Sequence, residues 1–315
     1  MFLSATGRSL DRRGGAPSGR AAGRPAGAPG GRRPVPRALP GGTGEGRGGV
    51  DEGRLRAAVT PVLGAGRLSV AVWAPGRAAP TGFGGGAFAA ASVVKTGILA
   101  ALLLSAQDAG RPLAPARRRR AAAMIERSDN AAATALWAEV GHARGFGAAL
   151  RRLGLRETVP DAAERWGLTH TTALDQARLL RAVFTGASGR PYGDPCGPPL
   201  LSPRSRAVLR HRLGRVVPEQ RWGVSAASDP GSPVALKNGW LPRDPTGRWV
   251  VNSAGRVVVD GRALLLVVLS DGHASRAAGV AAVERAARAA AGAFSAAADA
   301  PAAAAAPEGS VGRGR

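Results

Sequence analysis

Lysine is nearly absent from this sequence. Of its 44 basic residues only Lys95 and Lys237 are lysine, and the rest are arginine. Aromatic residues make up 4%, with one tyrosine, and the single cysteine, Cys196, can form neither an intramolecular disulfide nor a metal-spaced cluster. The four histidines (His142, His170, His211 and His273) show no zinc-binding spacing, so neither a metal nor another cofactor is expected. Nor does any run of about 18 apolar residues predict a membrane span. The opening MFLSATGRSLDRRGG lacks the apolar stretch of a signal peptide, and Arg12-Arg13 is followed by Gly, Ala and Pro.

Arginine, alanine, glycine and proline fill the chain instead, giving a formal charge of +23. Such a charge favours polyanions. The arginines are scattered, however, and no nucleic-acid motif accompanies them, so no specific nucleic-acid partner is expected. Residues 1–48 are Gly-, Pro- and Arg-rich without apolar periodicity, and read as a disordered leader or as sequence upstream of the true start. Residues 296–315 read as a disordered tail.

Between these ends the pattern is ordered. VDEGRLRAAVTPVLG predicts a helix, RLSVAVWAP a strand, and a helix runs from Ser92 to about Ala106. Helical stretches fill 121–220. Three strand-like runs follow, VALKNGW, RWVVNSAGRVVV and RALLLVVLSDG, the first two joined by an Asp244-Pro245-Thr246-Gly247 turn, before a closing helix. The order predicts an α+β fold: an antiparallel sheet flanked by N- and C-terminal helices, carrying an inserted all-helical domain. The sheet domain is expected over 49–91 and 233–295, and the helical domain over 92–232.

The scarce lysines mark the chemistry. Ser92 and Lys95 form S-x-x-K at a helix start, on one helix face. A serine hydroxyl needs a base to become a nucleophile. Lysine serves when burial or positive charge lowers its pKa, whereas arginine stays protonated. Ser128-Asp129-Asn130 reads on its own as a helix cap, and Lys237-Asn238-Gly239 as an ordinary strand segment.

Taken in order, S-x-x-K, S-D-N and K-x-G resemble the three motifs of the serine β-lactamase and penicillin-binding protein superfamily, class A in particular, and its actinobacterial relatives. The resemblance covers about residues 50–295. It implies an acylated nucleophile at Ser92, a base or proton relay at Lys95, and a proton shuttle at Ser128. It implies a substrate amide contact at Asn130 and a positive charge at Lys237 that orients Ser128. Backbone N–H groups of Ser92 and Trp240 would form the oxyanion hole, beside Gly239. A fixed charge would suffice at Lys237, so arginine there is expected to be mild.

Two departures stand out. Asn238 replaces the usual Thr or Ser, which weakens recognition of a β-lactam carboxylate, and Trp240 is bulky enough to narrow the pocket. The E-x-x-L-N motif that supplies the water-activating glutamate is missing. Glu157 is a weak candidate for that base, and Glu164 reads as a surface carboxylate. The implied activity is a serine hydrolase working through an acyl-enzyme on a β-lactam, acyl-peptide or ester, with slow β-lactam turnover. A D,D-peptidase or esterase of the same fold is the alternative, then a non-catalytic binder of peptidoglycan-like ligands, then a polyanion binder. The superfamily further implies an extracytoplasmic location, and a monomer is expected.

Overall fold

A computed structural model describes residues 50–74, 76–185, 200–243 and 246–299. The leader 1–48, Cys196, the turn residues Asp244 and Pro245, and the tail from 300 onward lie outside the described residues.

Helix α1 (Glu52–Val59) begins at Asp51, whose carboxylate accepts from the Arg54 N–H. Strands β1 (Arg67–Trp73), β2 (Thr81–Phe83) and β3 (Phe88–Ala89) follow. A helical block comes next: α2 (Val94–Asp108), α3 (Pro115–Glu126), α4 (Asn130–Glu139) and α5 (His142–Arg152). After the short strand β4 (His170–Thr171) come α6 (Ala173–Phe184) and α7 (Pro203–Leu213). Strands β5 (Ala235–Arg243), β6 (Arg248–Val259) and β7 (Arg262–His273) lead to α8 (Arg276–Asp299). The main sheet is antiparallel, in the order β2-β1-β7-β6-β5, while β3 pairs with β4.

The period-two rule explains how one sheet separates two cores. Val70 and Val72 of β1, with Leu264, Leu266 and Val268 of β7, face α1 and α8. Ala71 and Trp73, with Leu265, Val267 and Leu269, face the helical block. This is why β7 reads as a continuous apolar run rather than an alternating one. On α8, Val283, Ala286, Ala287, Ala290 and Phe294 recur at helical spacing and bury against the sheet. The alanines continue the helix to Asp299, past the expected end at 295.

Helix α2 is the axis of the helical block, buried without a break from Val94 to Leu104. Its segment Ala91–Asp108 has the length and mean hydropathy (1.2) to cross a membrane, which the run-length criterion on the sequence passed over. With 72% of that segment buried inside the protein, it is a core helix.

Candidate active site

The turn into α2 carries Ser92. Residues Ala91–Val93 form a single 3-10 turn, and Ala91 holds a φ of 47°, a left-handed conformation rare outside glycine. Such a backbone costs on the order of 1–3 kcal/mol and persists only where its surroundings hold it. Three contacts do so. The Ala90 N–H donates to the Thr169 carbonyl at 2.7 Å. The buried Asn252 amide on β6 donates to the carbonyls of Ala89 (2.9 Å) and Ala90 (3.2 Å). Asn252 Oδ1 in turn accepts from the Ser270 N–H at 3.0 Å. Sequence reasoning gave Asn252 no role, although it stands inside the strand motif VVNSAGRV. The visible signal was the Asn-Ser pair between the apolar runs of that strand.

Edge strand β5 passes directly beneath this turn. A Cβ built on Gly239 would lie 2.6 Å from the Ser92 nitrogen and 2.8 Å from that of Val93, both backbone atoms that cannot swing aside. Glycine is therefore required at 239 to bring the Ser92 and Trp240 peptides together. Gly239→Ala is expected to force β5 away from the serine. If these peptides form an oxyanion hole, displacing one donor costs roughly 3–4 kcal/mol of transition-state stabilisation. Acylation kinetics of the folded variant measure this, and a rate close to the wild type would refute it.

Both lysines are buried, Lys95 at 0% and Lys237 at 1% exposure, and they converge on one hydroxyl. The Lys95 amine donates to the Ser128 carbonyl (2.7 Å), to Asn130 Oδ1 (2.8 Å) and to Ser128 Oγ (3.2 Å). Lys237 donates to the same Ser128 Oγ at 3.1 Å and to the Asn238 carbonyl at 3.0 Å. Burial pulls Lys95 down to about 7, partly opposed by the charge of Asp129. Lys237 is held well below its usual range by burial first and by the neighbouring Lys95 second. A neutral amine at Lys95 is thus accessible near neutral pH.

The Ser-Asp-Asn segment divides its labour. Asp129 caps α4, accepting from the Ala132 N–H at 2.6 Å, as its residue type predicts. Ser128, at a φ of 59°, and Asn130 turn instead to Lys95. Ser92 is half-buried one turn before Lys95.

Other expected residues sit differently. The Asn238 side chain is fully buried, and its amide donates to the carbonyls of Gln220 (2.8 Å) and Trp222 (2.9 Å). Both of its donors are spent on the loop before β5, which leaves none for a substrate carboxylate. Trp240 leans on Trp222, with ring centroids 5.7 Å apart, and Arg276 lies 4.3 Å above its ring. Glu157 accepts from Thr172 Oγ1 at 3.2 Å and lies 3.5 Å from Arg178. Neither partner belongs to the lysine cluster. Glu164 accepts from Trp137 Nε1 (2.8 Å) and from the Ala143 N–H (3.0 Å), tying the loop to α4 and α5.

The loop residue that reaches the cluster is Trp166, whose ring centre lies 4.8 Å from the Lys95 amine. Its Nε1–H is donated to Thr134 Oγ1 at 3.1 Å, so the indole offers the amine only its π-face. Among the described residues no three His, Cys, Asp or Glu side chains gather as a metal site.

Comparison with known proteins agrees with this architecture. A protein named "Putative lipoprotein LppW", from Mycobacterium bovis and Mycobacterium tuberculosis, is 30% identical over 159 residues, 49% of this chain and 47% of that protein. The chain therefore spans about half the length of these curated relatives. A class A β-lactamase from Bacteroides cellulosilyticus superposes with a TM-score of 0.65 at 16% identity, over 78% of this chain and 98% of that one. PBP-A superposes at 0.62 and 20% identity, over 77% and 96%, and a variant of it is known as an acyl-enzyme with penicillin G. At these identities the structures establish the fold, a class A β-lactamase-like one. The family described as Beta-lactamase enzyme family (Beta-lactamase2) matches residues 115–294, a span that holds Ser128, Asn130 and Lys237 and begins after Ser92 and Lys95. The chain belongs to the Beta-lactamase2 enzyme family.

Proposed function

We propose that this protein is a serine acyl-transfer enzyme that penicillins acylate at Ser92 and leave slowly. The observation that carries this reading is the Lys95 amine, buried, pulled to about 7 and bonded to Ser128 and Asn130. A neutral amine one helical turn from a serine can take its proton as the hydroxyl oxygen attacks a carbonyl carbon. The oxyanion that forms would be met by the Ser92 and Trp240 N–H groups. Ser128, held by both lysines, would hand a proton to the leaving nitrogen as the amide bond breaks, and regain one through Lys95.

The reading extends to the substrate. Its carboxylate would find no donor on the Asn238 amide, so β-lactams should react only at high concentration. D,D-peptidase and esterase activities use the same acyl-enzyme and differ in the acyl group delivered. An extracytoplasmic location follows from the same resemblance, in keeping with the lipoprotein name of the mycobacterial relatives.

Incubation with a fluorescent penicillin, followed by intact mass over time and peptide mapping, tests the proposal. One adduct on Ser92 is expected, absent in a folded Ser92→Ala variant. An adduct on another serine, or none at millimolar drug, would overturn it.

A further inference from the structure

A cavity lies in the helical block, remote from the lysine cluster. It is bounded by the last turns of α2 and the first turns of α3 and α7. Lys95 sits in the first turn of α2 and Ala106 near its end, eleven residues on, about 16 Å along the axis at the usual helical rise. The cavity measures about 270 Å³, larger than the roughly 150 Å³ apolar cavity that holds benzene.

Its walls and rim differ in character. Leu103, Leu113 and Val208 line the interior. Gln107 also faces it, but its polar atoms are occupied: Nε2 donates to the Leu200 carbonyl at 3.0 Å, and Oε1 accepts from the Ser202 N–H at 2.9 Å and from Ser205 Oγ at 2.5 Å. The interior thus makes no demand for a polar partner. Arg111, Arg118 and Arg204 also line the space, and none has a carboxylate partner among the described residues. The fourth arginine there, Arg212, is already paired with Glu126 at 2.6 Å. An apolar interior beneath three uncompensated cations matches one kind of molecule: a short apolar body ending in an anionic group.

We infer that this cavity binds a single-chain anionic amphiphile, of the class of a medium-chain alkyl carboxylate. The alkyl chain would fill the space between α2, α3 and α7, and the carboxylate would meet Arg111, Arg118 and Arg204. Uncharged alkanes and alcohols would gain only the first of these contacts.

Octanoate is a suitable probe, titrated into the full chain with backbone amide NMR as the readout. Saturable shifts at Leu103, Leu113 and Val208 are expected. Octan-1-ol, and octanoate with the Arg118→Glu/Arg204→Glu variant, should each bind at least about tenfold more weakly, a loss of about 1.4 kcal/mol. Ala106→Trp, which fills the space, should abolish the shifts while circular dichroism reports the fold. If that variant unfolds, the charge-reversed one decides alone. Absence of saturable shifts, octan-1-ol binding as tightly as octanoate, or octanoate binding untouched by charge reversal would each overturn the assignment. So would association with phosphatidylglycerol vesicles that persists in a folded Ala106→Trp protein but is lost in the Arg118→Glu/Arg204→Glu variant, since that would assign these arginines to a membrane surface.

Discussion

Lys95→Arg is expected to slow penicillin acylation by about 100- to 10,000-fold, the usual worth of a positioned general base. The variant keeps the positive charge, but at 0% exposure position 95 has no more room for a guanidinium than position 237, so the pH profile is what separates a base from a fixed charge. Arginine cannot accept a proton at neutral pH. The wild-type acylation rate should also rise with pH through about 7, as Lys95 loses its proton. Above that pH the base is neutral and the profile should level. Lys237→Arg should be severe as well, contrary to the mild effect that the sequence alone leads one to expect. Its amine is fitted at 1% exposure between Ser128 Oγ and the Asn238 carbonyl, and a guanidinium has no such room. Stopped-flow acylation across pH 5–9 measures all three. A flat pH profile together with an active Lys95→Arg would remove the base from the mechanism.

The second large effect concerns release of the acyl group. A penicillin should give a burst of one equivalent followed by weak hydrolysis, because among the described residues the carboxylate beside the cluster, Asp129, is committed to capping α4. The side chain facing Lys95 from the loop is an indole whose only donor is already engaged. Trp166→Glu should place a carboxylate beside that amine and speed deacylation by about 100-fold or more, if a general base is what is missing. Glu157→Gln should match the wild type, since its carboxylate is held by Thr172 and Arg178. Intact mass after drug removal measures the adduct's lifetime. Rapid, burst-free turnover by the wild type would refute the account, and a prolonged adduct in Glu157→Gln would restore that residue as the base.

What the sequence made legible follows from locality. Apolar patterning exposed α2, β1, β5–β7 and α8, as a periodic face in α8 and as unbroken runs in α2 and β7, and the i,i+3 relation of Ser92 and Lys95 is a property of one helix start. The scarcity of lysine singled out both buried amines before any contact was known. Long-range contacts were not legible. Nothing in the sequence says that Asn252 reaches across from β6 to the turn before Ser92, since a strand asparagine has no local reason to face inward. Trp166 was hidden for the same reason. Its position over Lys95 depends on a loop anchored by Glu164, and Glu164 read locally as a surface carboxylate. Asn238 was noticed as a departure, but which way its amide donates is decided by carbonyls of residues 220 and 222.

The burial of both lysines also bears on how the protein meets reagents. Every lysine of the sequence is either Lys95 or Lys237, so the folded surface offers no side-chain amine to an acylating dye, a formaldehyde cross-linker or a lysine-specific protease. Arginine, which supplies the other 42 basic residues of the sequence, adds positive charge without adding a reactive amine. A lysine-directed reagent therefore finds a target only when the centre of the molecule opens. Its reaction rate becomes a clock for unfolding at the one place where the two amines meet.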